Sequence, residues 1–159
     1  MAILRNEIVI KAPIEKIWQA LSEIDRLDKY DPTVKKSTVL TGMKSGIGAK
    51  RRVDMGDGKN WFEEVVTSFK PHEALTFTLT ACSFPVHRLT HTYSFDTIGA
   101  QIKVKQVMTY TVKFGWLGKL LDALMIRKQS DAGIKKFLAG LKGYTEGKAS
   151  PQPSPEERE

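Results

Sequence analysis

The chain has 159 residues, 41% of them hydrophobic and 27% charged, and carries 25 Lys and Arg against 18 Asp and Glu. This length and composition predict one globular domain and exclude collagen, a coiled coil and a wholly disordered chain. No apolar run reaches the length of about 18 residues that a membrane span needs. The N-terminal segment lacks the apolar core of a secretion signal, so we expect a cytoplasmic protein.

The formal net charge of +7 raises the question of an anionic partner. Basic pairs occur at Lys35-Lys36, Arg51-Arg52 and Lys135-Lys136. They are scattered along the chain, however, and no dense basic tract is interleaved with aromatic residues as in many nucleic-acid sites. We therefore expect a solvated basic surface and no nucleic-acid partner.

The last thirteen residues, 147–159, differ in composition from the rest of the chain. They contain three of the seven prolines and no large apolar residue. Such a segment cannot bury enough surface to offset the entropy of ordering it, so a disordered tail is predicted. The sequence thus predicts a single domain over 1–146.

The N-terminal part reads as a strand followed by short helices. Residues 3–11 form an extended apolar segment, and Pro13 suits the first turn of a helix. That helix has one apolar face at the spacing i, i+3, i+4, i+7, formed by Ile14, Ile17, Trp18 and Leu21. A second short helical stretch is expected over 22–27, before Pro32.

From residue 35 onward the apolar pattern alternates with period two, which is typical of half-buried strands. Six strands are predicted, at 36–42, 48–55, 60–70, 73–82, 86–97 and 101–113. Asp57-Gly58 separates two of them and is a strong signal for a hairpin turn. Short connections of this kind predict an antiparallel meander.

The last predicted element is one long helix over 117–144. Leu117, Leu120, Leu121 and Leu124 share one face, and Ile134, Leu138 and Leu141 continue it. Arg127, Lys128 and Asp131 interrupt this apolar face. Either an exposed turn with an Arg127–Asp131 pair or the border of a wet cavity would explain the interruption.

This order of elements and the opening Ile8-Val9-Ile10-Lys11-Ala12-Pro13-Ile14-Glu15-Lys16-Ile17-Trp18 resemble the START-like polyketide cyclase/dehydrase and lipid-transport superfamily. The resemblance covers residues 3–146 and implies an α+β helix-grip fold, like that of the birch-pollen allergen. In that fold a curved seven-stranded antiparallel sheet wraps around a long C-terminal helix, and two short helices follow the first strand. The resemblance also implies a hydrophobic cavity between sheet and helix, but it does not imply an enzyme.

Alternation along the strands predicts which side chains face this cavity. The polar residues predicted on the inner face are Arg51, His87, His91, Gln106 and either Glu63 or Glu64, since both sides of strand 60–70 look alike. A mostly apolar pocket with a few converging polar groups is typical of a small-molecule site. The candidate acid–base residues are His91, Glu63, Arg51 and Tyr110. The candidate ligand contacts are Trp18, Met55, Trp61, Phe77, Tyr93, Gln106, Met108, Leu121 and Met125.

Metal and cofactor sites are not predicted. His87 and His91 are four residues apart on a strand, which separates them by about 13 Å, too far to share one metal ion. The single cysteine, Cys82, excludes an intramolecular disulfide and a multi-cysteine zinc site. The glycines at 42, 46 and 48 fit neither a dinucleotide fingerprint nor a phosphate-binding loop, so no cofactor is implied.

Three functions remain open at this level. The first choice is the binding of a small hydrophobic or amphipathic molecule, lipid-like or polyketide-like. A carrier predicts polar groups at the cavity mouth, whereas a cyclase or dehydrase without cofactor predicts a polar cluster deep inside. An interaction module, such as a cochaperone of the same fold, predicts a filled cavity and an exposed apolar patch. The sequence does not predict the oligomeric state.

Overall fold

The computed structural model describes residues 1–147, and these form a helix-grip fold, as predicted. One seven-stranded antiparallel sheet has the order β1-β7-β6-β5-β4-β3-β2. The strands from β2 to β7 therefore form the expected meander, and β1 closes on the last of them. The strands are β1 Ala2–Ile10, β2 Val34–Val39, β3 Lys50–Met55, β4 Trp61–Lys70, β5 Ala74–Cys82, β6 Val86–Ile98 and β7 Gln101–Val112.

Two short helices follow β1, namely α1 over Ile14–Ser22 and a single 3₁₀ turn over Leu27–Lys29. The C-terminal helical segment begins at Gly115, two residues before the predicted start. It comprises α2, Gly115–Leu121, a π-helical turn, Asp122–Ile126, and α3, Arg127–Thr145. The π-helical turn lies just before Arg127, where the predicted apolar face was interrupted.

The core lies between the concave face of the sheet and the helices α1 and α3. Ile10, Ile17 and Leu141 are fully buried there. Gly140 of α3 lets this helix approach the segment before β2, because a Cβ atom at this position would lie 1.9 Å from the carbonyl oxygen of Tyr30. This close approach fixes where α3 crosses the sheet.

The leucine face over 117–124 is exposed, although an apolar helix face normally packs against the core. Among the sheet strands, α2 packs mainly against β7, whereas α3 packs on β1 and α1. Seven large side chains are consequently 41% to 74% exposed, and we call them the apolar patch: Phe114, Trp116, Leu117, Leu120, Leu121, Leu124 and Met125.

Within residues 1–147, no helix is both long and apolar enough to cross a bilayer. The predicted disordered tail, apart from Gly147, lies outside the described residues.

Candidate functional site

A cavity of about 380 Å³ lies between the inner face of the sheet and α3. Its apolar wall includes Phe62 and Leu79 from the sheet and Phe137 from α3. The wall is completed by Ile126, Gln129, Ser130 and Gly133, which come from the end of the π-helical turn and the start of α3. This segment of the helix therefore borders the cavity, which was one of the two explanations for its interrupted apolar face.

The polar part of the wall is centred on a buried ion pair between β3 and β4. Arg51 and Glu64 lie directly opposite each other in the sheet, with side chains only 6% and 2% exposed. The Nε and Nη2 groups of Arg51 donate to the same Glu64 oxygen, Oε1, at 2.8 and 2.6 Å. The second carboxylate oxygen, Oε2, is buried and has no hydrogen-bond partner among the described residues.

The Arg51 guanidinium is held on two further sides. Its Nη1 group donates to the carbonyl oxygen of Ile24 at 3.2 Å, and its carbon lies 4.4 Å from the centre of the Phe77 ring. Phe77 thus supports the cluster from below through a cation–π contact. These contacts fix the charged group in one orientation.

Beside this pair, β6 and β7 contribute His91 and Gln106. The amide nitrogen of Gln106 donates to Nδ1 of His91 at 2.8 Å, which places the proton of the neutral ring on Nε2. Burial lowers the pKa of His91; the Glu64 carboxylate opposes this shift and the Arg51 charge adds to it. The carbonyl oxygen of the Gln106 amide, Oε1, is buried without a partner in the described part of the chain.

Asp31 and Tyr93 add two further polar groups to the wall. Asp31 is 8% exposed and accepts hydrogen bonds from the backbone and hydroxyl of Thr33 at 2.9 and 2.7 Å. Burial raises the pKa of the Asp31 carboxyl, and the bonds from Thr33 oppose that shift. Burial also raises the pKa of Tyr93 well above its usual range, so its phenol stays protonated at neutral pH.

Six of the residues named from the sequence line this cavity: Arg51, Met55, His91, Tyr93, Gln106 and Met108. Glu63 and Trp61 do not. Both lie on the opposite face of β4, where Glu63 is 3.7 Å from Lys50 and the Trp61 ring stacks on Arg52. The inner-face carboxylate is Glu64, and this corrects the choice of Glu63. The prediction that His87 lies on the inner face is also wrong: His87 is exposed, at the bulge that shifts the register of β6 between Val86 and Arg88.

Three others lie in the core rather than in the cavity wall. Trp18 packs edge-on against Phe69 at 5.1 Å between ring centres, and Phe77 lies beneath Arg51. The Tyr110 hydroxyl donates to the Asp122 carboxylate in the π-helical turn. Tyr110 therefore joins the end of the sheet to the helix, and its bond with Asp122 helps to raise the pKa of its phenol to about 12 after the larger effect of burial.

The remaining two, Leu121 and Met125, belong to the apolar patch and do not line the cavity. Asp131 does not pair with Arg127; it accepts from Asn6 at 3.0 Å and from Lys135 at 2.7 Å.

Sequence reasoning missed Asp31 and left Glu64 as one of two alternatives. A usable signal for Glu64 is its position directly across from Arg51 in the β3–β4 hairpin, which the Asp57-Gly58 turn fixes. Asp31 carries no comparable signal, because its burial results from the packing of α3 on the loop before β2. In the described residues, no three His, Cys, Asp or Glu side chains come together as metal ligands.

Comparison with known proteins places the fold among solved structures. TTHA0849 from Thermus thermophilus matches with a TM-score of 0.74 and 19% identity, over 91% of this chain and 97% of that protein. A START superfamily protein from Mycobacterium smegmatis matches with a TM-score of 0.74 and 16% identity, over the same shares of the two chains. Ara h 8.0201 matches with a TM-score of 0.73 and 15% identity, again over 91% and 97%.

No curated protein sequence matches the chain. The family described as polyketide cyclase / dehydrase and lipid transport matches residues 1–146, nearly the whole described part. Together with the sheet wrapped around its C-terminal helix, this match shows that the chain belongs to the polyketide cyclase/dehydrase and lipid-transport family.

Proposed function

We propose that the protein binds a small amphipathic molecule in the cavity between the sheet and α3. The observation that supports this most is the combination of an unfilled space of about 380 Å³ with a fixed polar cluster in a mainly apolar wall. A volume of this size is in the range of small-molecule sites. Buried polar groups are costly unless they are paired, so a polar cluster is expected where a ligand's polar end must be oriented.

The glycines of α3 offer a direct test of the cavity. Gly133 lines the cavity and Gly143 does not, and a Cβ atom added at either position would meet no atom within 4 Å. Gly133→Leu should therefore fill part of the cavity, whereas Gly143→Leu is the matched control on the same helix. The probe is N-phenyl-1-naphthylamine, a neutral dye that fluoresces in apolar surroundings.

We expect the dye to bind the wild-type protein and the Gly143→Leu variant equally well. In Gly133→Leu the new side chain should displace one ring of the dye, and the lost apolar contact should weaken binding by about tenfold or more. Equal binding by both variants would show that the dye lies elsewhere and would overturn the proposal. Native mass spectrometry of protein purified from its own host then gives the mass of a retained ligand.

A second candidate function, acid–base catalysis of the cyclase or dehydrase type, is favoured by the neutral His91. Its Nε2 proton and the adjacent Glu64 carboxylate form a donor and an acceptor in one wall. His91→Gln keeps a polar side chain but removes proton transfer near neutral pH. With the retained ligand as substrate, an enzyme should lose about 10²-fold in turnover, while a carrier should show only a change in affinity.

A further inference from the structure

The polar cluster constrains the chemistry of the ligand's head group. Two buried oxygens of the cluster have no hydrogen-bond partner in the described residues, and both are acceptors. Glu64 and Gln106 are 2% and 1% exposed, and each leaves one buried side-chain oxygen without a partner in the described residues. A buried acceptor without a donor is costly, and this cost is removed when a ligand supplies an O–H or N–H group. Both residues line the cavity, so a ligand that enters it can supply the missing donors.

The charge of the wall points in the same direction. Among the described residues that line the cavity, Asp31, Asp57 and Glu64 are carboxylates, and Arg51 is the one Lys or Arg. The Arg51 charge is already neutralised by Glu64 at 2.6 Å, and three of the five N–H groups of its guanidinium donate to Glu64 and to the Ile24 carbonyl. Asp57 at the mouth stays ionised, because the backbone N–H groups of Asn60 and Lys59 lower the pKa of its carboxyl.

From these observations, and resting on the proposed function, we infer that the cavity selects an uncharged ligand whose polar end is a hydrogen-bond-donating hydroxyl, and that it rejects carboxylate and phosphate head groups. The hydroxyl donates to the free oxygens of Glu64 and Gln106, and the rest of the molecule lies against the apolar wall. This preference is the opposite of what the net charge of +7 would predict for the protein as a whole.

Three probes that differ only in the head group test the inference: 1-naphthol, 1-naphthoate and naphthalene, each displacing N-phenyl-1-naphthylamine at neutral pH. We expect 1-naphthol to bind about tenfold more tightly than naphthalene, the effect of one good hydrogen bond, and naphthoate to bind more weakly than naphthalene. Naphthoate binding as tightly as 1-naphthol, or naphthol no better than naphthalene, would overturn the head-group inference alone. If neither the dye nor any of the three probes binds to the wild-type protein, both the proposed function and the head-group inference fail.

Two variants on β7 locate the effect. Gln106→Leu removes one of the two unpartnered oxygens at nearly constant side-chain volume. The affinity for 1-naphthol should then fall toward the affinity for naphthalene. Gln101→Leu, on the same strand but outside the cavity wall, is the matched control and should keep the tenfold preference. Retention of the full preference in Gln106→Leu would exclude Gln106 as the acceptor. The wild-type comparison of the three probes does not depend on either variant folding.

A separate observation concerns the apolar patch on α2 and the π-helical turn. Its most exposed members are Trp116 at 74%, Phe114 at 67% and Leu124 at 63%. They are flanked by four exposed basic residues, Lys113, Lys119, Arg127 and Lys128. Between 113 and 128 the acidic residue is Asp122, whose carboxylate accepts the hydroxyl of Tyr110.

We infer that this patch docks on an anionic lipid surface. Two copies of the chain meeting at the patch would bring the basic flanks together, whereas anionic head groups complement them and accommodate the apolar side chains below. Tryptophan and lysine at such a boundary keep their polar ends in the head-group layer. The patch directly precedes the helix segment that borders the cavity, so docking would bring the cavity close to the membrane.

Sedimentation with vesicles of phosphatidylcholine, with and without phosphatidylglycerol, tests this docking. We expect binding to the anionic vesicles only, and a loss of about tenfold or more in the double variant Trp116→Ser/Leu120→Ser, since two large apolar side chains are removed. The control Ile47→Ser/Ile98→Ser removes exposed apolar residues outside the patch and should bind as wild type. Equal binding to both vesicle types, unchanged binding of the patch variant, or a dimer in ultracentrifugation that this variant abolishes would each overturn the proposal.

Discussion

The buried pair Arg51–Glu64 allows a sharp test of the site, because a second pair lies beside it on the other face of the same two strands. Glu64→Leu removes the partner of a guanidinium that is only 6% exposed. Leaving such a charge unpaired in the interior costs about 3–5 kcal/mol. Since a domain of this size is stable by only about 5–15 kcal/mol, the variant should be strongly destabilised.

The matched control is Glu63→Leu, one residue away. Glu63 is 3.7 Å from Lys50, and the two side chains are 23% and 34% exposed. Exposed and half-exposed pairs of this kind contribute about 0–1 kcal/mol, so this variant should unfold close to wild type.

The double variant Arg51→Met/Glu64→Leu completes the cycle. With both charges gone, no buried charge is left unpaired, and apolar replacements of buried ion pairs are often neutral or stabilising. The free energy of unfolding of each variant is measured by urea titration and circular dichroism. We expect the loss in the double variant to be much smaller than the sum of the losses in Arg51→Met and Glu64→Leu alone. Additive losses, or equal losses for Glu63→Leu and Glu64→Leu, would refute the assignment of Glu64 to the interior.

Three further predictions concern single residues. Gly140→Ala should destabilise the protein by about 1–3 kcal/mol or more, because the added Cβ would meet a backbone carbonyl. Gly143→Ala should stabilise it by about 0.5–1 kcal/mol, because the added Cβ would meet no atom. The urea midpoints of the two variants check both predictions. Burial lowers the pKa of His91 below its ordinary 6.5, so the unfolded chain binds this proton at a higher pH than the folded chain. Stability should therefore fall as the pH drops below 6.5, by up to about 1.4 kcal/mol per unit, and His91→Gln should remove this part of the pH dependence. The side chains of Trp116 and Trp18 are 74% and 7% exposed, so acrylamide should quench mainly the fluorescence of Trp116. Trp116→Phe should therefore remove most of the quenchable fluorescence, and Trp18→Phe should not. A larger loss in Trp18→Phe would contradict these positions.

The sequence predicted the sheet well where alternation was one-sided. In β7, Ile102, Val104, Gln106, Met108 and Tyr110 alternate with polar residues, and the structure buries all five. In β4, both faces carry an aromatic residue, a glutamate and a valine, so periodicity alone could not choose between Glu63 and Glu64. The cross-strand contact with Arg51 decides it, and such contacts depend on the register of the strands.

The helix shows a different limit of sequence reasoning. Its 3.6-residue period correctly predicted a long helix, but the leucine face over 117–124 is exposed. Periodicity reports that a face is apolar, not that another element covers it. Here α2 packs on β7 through few contacts, and its leucines stay exposed, while Ile134 and Leu141 further along α3 are buried.

The central claim is that the ligand site lies in the cavity under α3. Amide chemical shifts of the ¹⁵N-labelled protein, recorded during titration with 1-naphthol, test it most directly because they locate the bound probe. The account predicts saturable shifts at the cavity residues Glu64, His91, Gln106 and Gly133, with smaller ones across the apolar patch. Shifts confined to the patch, with these four amides unchanged, would contradict it.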